Sequence, residues 1–85
     1  MLNFPNASRS YDATRRCVHF WGYDGALEVS FFIAEGAVFS IAPETRHNQH
    51  AILASFDANR DRILNAARRK YSGRKGSYEL AASDF

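Results

Sequence analysis

The stretch Cys17-Val18-His19-Phe20-Trp21-Gly22-Tyr23-Asp24-Gly25-Ala26-Leu27-Glu28-Val29-Ser30-Phe31-Phe32-Ile33 decides the fold. An Asp24-Gly25 pair lies between two apolar-rich runs, the strongest short-range sign of a two-residue β-hairpin. A type I′ turn needs positive φ at both central residues. Gly25 adopts it freely and Asp24 tolerates it better than most residues. With Asp24-Gly25 as the turn, Tyr23 is expected opposite Ala26, Trp21 opposite Glu28, Phe20 opposite Val29 and Cys17 opposite Phe32. Side chains alternate along a strand. One face then carries Val18, Phe20, Leu27, Val29, Phe31 and Ile33, an expected core. The other carries Cys17, His19, Trp21, Tyr23, Glu28, Ser30 and Phe32, too aromatic for ordinary solvent surface.

The rest of the chain is arranged around this ribbon. Residues 1–15 read as an arm, with Leu2 and Phe4 alternating in a very short edge strand until Pro5 ends the ladder. Tyr11 is the arm's expected anchor. The hairpin occupies 16–34 and is broken by Glu35-Gly36. Residues 37–42 fit either a third strand or a turn of helix, since six residues do not separate the two periods. Asn48 is a good N-cap. Behind it Ile52, Leu53, Phe56, Ile63, Leu64, Ala67 and Tyr71 form a stripe at helical spacing, interrupted by Asn59 and Arg60. One long helix is expected over 48–72, with Gly73 just past its end. Tyr78, Leu80 and Ala82 alternate in a final strand over 77–83. The expected architecture is α+β: a two-layer single domain over 1–85, with a small antiparallel sheet of hairpin plus C-terminal strand covered by one long helix.

Composition limits the function classes. The chain has 85 residues, a net charge of +2, one Cys, seven Phe, four Tyr and one Trp. So short a chain buries only about 60–65% of its unfolded surface, which favours dimerisation. One Cys excludes an internal disulfide and a cysteine-rich zinc site, and suits a reducing compartment. No run approaches membrane-helix length and no signal peptide is visible, so a cytoplasmic protein without a membrane partner is expected.

Several residue arrangements carry known chemistry. Cys17, His19 and Glu28 gather a nucleophile, a base and a carboxylate on one face. Yet neighbouring outward side chains on a strand stand about 7 Å apart, and an open sheet offers no oxyanion hole. No catalytic residues are expected. His47 and His50, with Glu44, have metal-ligand spacing, but they sit at a helix N-terminus, where the dipole disfavours cations. No metal or cofactor is expected, and no phosphate-binding or hydrolase motif occurs. Arg60 lies on the apolar stripe, so its charge needs a partner. A structural ion pair with Asp12, Asp84 or the C-terminal carboxylate is expected.

Two surfaces remain as candidates for recognition. His19, Trp21, Tyr23 and Phe32 form an aromatic patch that is covered by the chain, contacted by a protein partner or second copy, or stacked on unpaired bases. Arg68, Arg69, Lys70, Arg74 and Lys75 form a basic cluster. It reads first as cations placed at a helix C-terminus and second as a phosphate-binding patch. A non-catalytic protein-interaction module is therefore expected. Single-stranded nucleic-acid binding is the alternative, weakened because only Arg15 and Arg16 flank the aromatic strands.

The chain also resembles a known family. Leu2-Asn3-Phe4-Pro5, Tyr11-Asp12, Val18-x-Phe20, the Gly25 turn and Ala54-x-Phe56-Asp57-x-Asn59-Arg60-x-x-Ile63 are similar to the family called domain of unknown function 1488, short bacterial proteins of about this length. The resemblance covers nearly the whole chain. It implies a small α+β fold and no particular activity. It also implies a helix over 36–42, where Gly36, Val38, Phe39 and Ile41 are poor helix formers, so strand and helix both stay open there.

Overall fold

The computed structural model describes residues 1–85. Its elements are β1 (Leu2–Asn3), β2 (Arg9–Asp12), β3 (Cys17–Asp24), β4 (Leu27–Ala34), α1 (Glu35–Ile41), α2 (Gln49–Ala58), α3 (Arg60–Lys70), β5 (Ser77–Leu80) and a short 3-10 turn at Ala82–Asp84. The class is α+β, with one mixed sheet of five strands. β1 and β2 pair with opposite ends of one edge of β3, β4 pairs with the other edge, and β5 lies beyond β4.

The hairpin forms with its turn one residue later than expected. Asp24 pairs with Leu27, Trp21 with Ser30, Phe20 with Phe31 and Cys17 with Ala34. Gly25 and Ala26 are the turn residues. Gly25 has φ +62° and Ala26 has no positive φ, the pattern of a type II′ turn, which needs glycine only at its first central position. The pairing differs from the expected one by two residues. A two-residue shift preserves faces because the side-chain period is two. The core face therefore survives, with Val18, Phe20, Val29, Phe31 and Ile33 fully buried. Leu27 is the exception. It lies beside the turn, beyond the cover of the helices, and is 61% exposed.

The arm holds more structure than its sequence suggested. β2 forms a second hairpin with β3 through a four-residue turn, in which Asp12 Oδ1 accepts the Arg15 N–H at 3.0 Å and Arg16 takes φ +52°. The chain between β1 and β2 places Phe4 against the inner rings, 6.0 Å from Phe20 and 5.7 Å from Phe31. Gly22 permits this crossing. A Cβ there would stand 2.5 Å from the Asn3 carbonyl oxygen and 2.9 Å from the Phe4 ring.

The helical layer also corrects the sequence reading. Residues 35–41 are helical, with the adjacent residues Ala37 and Val38 both buried. Asn48 caps α2, its Oδ1 accepting the Ala51 N–H at 2.9 Å. The expected single helix is broken at Asn59, whose φ −112°, ψ 19° leave the α region. The Asn59 amide side chain bonds the Ser55 carbonyl at 2.9 Å, an alternative to helical continuation that asparagine offers readily. The break lets Ile52 and Phe56 of α2, and Ile63, Leu64, Ala66 and Ala67 of α3, all enter one core. Phe56 sits 5.2 Å from Phe20.

β5 is parallel to β4, so the sheet is mixed rather than purely antiparallel. It is also shorter than expected, ending at Leu80 before the 3-10 turn. The three helices lie between β4 and β5 in sequence. That length of connection is what a parallel neighbour requires, whereas a tight turn would return the chain antiparallel.

Candidate functional site

The helices gather on the Phe20–Phe31 side of the sheet. The arm runs along the β3 edge, and α1 packs with α2, β4 and the 3-10 turn. The outer face thus keeps its own population, with His19, Trp21, Tyr23 and Phe32 all partly exposed. Pairing sorts it into rows. Ser10, His19, Phe32 and Glu79 form one row; Trp21, Ser30 and Ser77 the next; Asn3, Tyr23 and Glu28 the last.

Three of these rings are in contact. His19 stacks on Phe32 at 4.6 Å and 11°, and lies 5.1 Å from Trp21. His19 Nε2 shares a 3.1 Å hydrogen bond with Ser30 Oγ. Desolvation among these neighbours holds the imidazole below its ordinary pKa, partly opposed by the Glu28 charge. Tyr23 donates its hydroxyl to Glu28 Oε1 at 3.5 Å.

Arg15 was not singled out from the sequence, yet the structure lays it on this face. Its guanidinium carbon is 3.7 Å from the Phe32 ring centroid, and a guanidinium nitrogen is 3.7 Å from Glu79 Oε1. The signal lay in Asp12-x-x-Arg15, an Asx turn closing a hairpin, and needed β2 to be recognised as a strand. Arg15, Cys17, Phe32, Ala34, Glu79, Leu80 and Ala81 line a hollow of about 280 Å³. Cys17 is its buried thiol. Burial first, then the Asp12 charge, pushes the thiol pKa up, the reverse of what activates a nucleophile.

The other residues singled out from the sequence lie elsewhere. His47 stacks on Phe39 at 3.9 Å, while His50 and Glu44 are exposed. Arg60 reaches the arm, but its acceptor is the Asn6 main-chain carbonyl at 2.7 Å rather than a carboxylate. The ion pair in this region belongs to Arg9 and Asp57, joined by two 2.8 Å bonds between β2 and α2.

The basic cluster divides. Arg68 bonds Asn65 Oδ1 at 3.2 Å and lies 5.4 Å from Phe4. Arg69 donates to the Asp84 carbonyl and Lys70 to the Asp84 carboxylate, both at 3.2 Å. Arg74 and Lys75 follow in the turn to β5. Lys70 and Lys75 share with Arg15, Ser77, Tyr78 and Glu79 a hollow of about 460 Å³ along the β5 edge. Lys70 and Lys75 therefore border the aromatic face at β5, while Arg68 and Arg69 belong to the opposite layer.

Comparison with known proteins agrees with this architecture. A solved protein of unknown function from Shewanella loihica PV-4, of the DUF1488 family, superposes with a TM-score of 0.80 at 17% identity, over 93% of this chain and 90% of its own. No curated protein matches the sequence. The family model described as "Protein of unknown function (DUF1488)" matches residues 2–81, and the chain belongs to that family.

Proposed function

We propose that the protein is a non-catalytic protein-interaction module whose recognition surface is the outer sheet face centred on Trp21. One observation carries this reading: the helices are confined to one side of the sheet, and the other side keeps a set of partly exposed rings, of which His19, Trp21 and Phe32 are in contact. Tryptophan and tyrosine suit such a surface, each offering a large apolar body with a polar edge. A second copy docked face to face is the self-binding form of the same reading. No helix is long and apolar enough to cross a membrane. The single free thiol fits a reducing compartment, and we place the module in the cytoplasm.

Single-stranded nucleic acid is the second reading, favoured by Arg15 on Phe32 and by the cations beside it at the β5 edge. It ranks lower because the face itself carries Asp12, Glu28 and Glu79, which repel phosphate. The two readings separate in a pull-down from nuclease-treated and untreated lysate, with wild type and Trp21→Ala as bait. A nuclease-resistant partner lost on Trp21→Ala is expected. Capture that disappears with nuclease would move the assignment to nucleic acid. Denaturation and sedimentation of both baits complete the test. If Trp21→Ala unfolds the domain and the wild type is monomeric, the patch is core rather than interface.

A further inference from the structure

We propose that Trp21, Tyr23 and Glu28 form a receptor for one guanidinium or ammonium side chain of a basic partner segment. The proposal rests on the outer face being a protein-recognition surface. Its template is within the molecule. Arg15 lies 3.7 Å over the Phe32 ring, with Glu79 of the adjacent strand 3.7 Å from its guanidinium. An aromatic ring on one strand and a carboxylate on its neighbour are therefore sufficient on this sheet to seat an arginine. The same pair of groups recurs toward the hairpin turn, where Tyr23 and Glu28 are cross-strand partners. Trp21 supplies a second ring two residues along β3.

Outward side chains two residues apart on a strand stand about 7 Å apart at their base, so a planar cation fits between Trp21 and Tyr23 where the rings do not lean together as His19 and Trp21 do at 5.1 Å. Glu28 is exposed and lies beside the Tyr23 hydroxyl at 3.5 Å, so a cation entering between the rings meets a carboxylate at the rim. The chain does not send its own cation there. Arg15 is held by Phe32 and Glu79, and Arg68 by Asn65 and Phe4. Charge at the hairpin end agrees: Glu28 is the charged member of the Asn3–Tyr23–Glu28 row, while Arg15 and Glu79 pair with each other farther along and Lys70 and Lys75 line the β5 edge. An exposed carboxylate beside two rings is complementary to a partner bearing arginine or lysine among apolar residues.

The test selects a display library of random peptides against the full chain. Affinities are then read by the anisotropy of fluorescently labelled peptides, a readout that the Trp21 variant keeps. Selected peptides are expected to share one arginine or lysine beside apolar residues. Glu28→Gln, at an exposed position that leaves folding intact, should weaken them about tenfold and reduce the salt dependence; Glu79→Gln should change them by less than about twofold. Trp21→Leu should weaken them at least as much as Glu28→Gln. Peptides that depend on Trp21 but carry no cation, or are indifferent to Glu28→Gln, would overturn the cation receptor and leave the interaction surface standing. A Trp21-dependent dimer in sedimentation that excludes every peptide would do the same, assigning the face to a second copy. Selected peptides that are unaffected by Trp21→Leu, or binding confined to a single-stranded oligonucleotide, would overturn both.

Discussion

Gly22 decides how the arm meets the sheet. Its missing Cβ is what lets the Asn3 carbonyl and the Phe4 ring close over the inner face. Gly22→Ala should therefore push the arm away and cost about 1–3 kcal/mol, the usual range for overpacking, read as a lower urea midpoint. His19 makes a different kind of prediction. Its folded pKa is held below 6.5 by desolvation, so the neutral ring is the form the fold prefers. The unfolded chain then binds the proton more readily, and stability should fall as the pH drops below about 6.5, levelling off once His19 is protonated in the fold. His19→Phe should lack that loss between pH 7 and the lowered pKa. Asp84 belongs to a separate, more acidic window. The Ala81 N–H, opposed by desolvation and helped by Lys70, holds its carboxyl below 3.8, so its contribution is lost only on further acidification.

At the scale of elements, the two-helix hinge at Asn59 is what brings helices onto both ends of the inner face. Phe56, fully buried toward the end of α2, packs on Phe20 of the sheet. Phe56→Ala should cost about 3–5 kcal/mol in chemical denaturation, a large share of the stability of so small a domain. A loss below about 1 kcal/mol would mean that α2 is held chiefly by other contacts. One such contact is the Arg9–Asp57 pair, which ties β2 to α2. Its partly exposed side chains limit its expected worth to the modest range of surface ion pairs.

Across the whole molecule, the aromatic face carries Asp12, Glu28 and Glu79, and cations reach it through Arg15 and at the β5 edge. Arg68 and Arg69 end a helix on the other layer, and Arg69 and Lys70 are tied to Asp84. Little or no binding of single-stranded oligonucleotides is therefore expected at physiological salt. If binding does occur, its affinity should fall with salt by about one logarithmic unit per phosphate contacted. A sub-micromolar affinity, lost on neutralising Arg68, Arg69, Lys70, Arg74 and Lys75, would reverse the order of the two readings.

What the sequence determined by itself was whatever local periodicity controls. The two faces of the hairpin follow from alternation, and they survive a two-residue change of pairing because the period is two. The Asn48 cap follows from residue type, and the burial of Ile52, Phe56, Ile63 and Leu64 from helical spacing. The aromatic patch was legible for the same reason. The tertiary structure alone decided the choices that distant contacts settle. Asp24 leaves the turn's centre, where its carboxylate accepts the Tyr71 hydroxyl at 2.6 Å from another layer. Arg9–Asp12 becomes a strand because β3 offers an edge, and only then does Arg15 reach Phe32. Asn59 ends a helix whose stripe could have continued, its amide bonding the Ser55 carbonyl instead. β5 runs parallel to β4, a pairing that the long helical connection between them permits. Each of these depends on contacts outside the segment's own period, and a periodicity read within one segment carries no information about them.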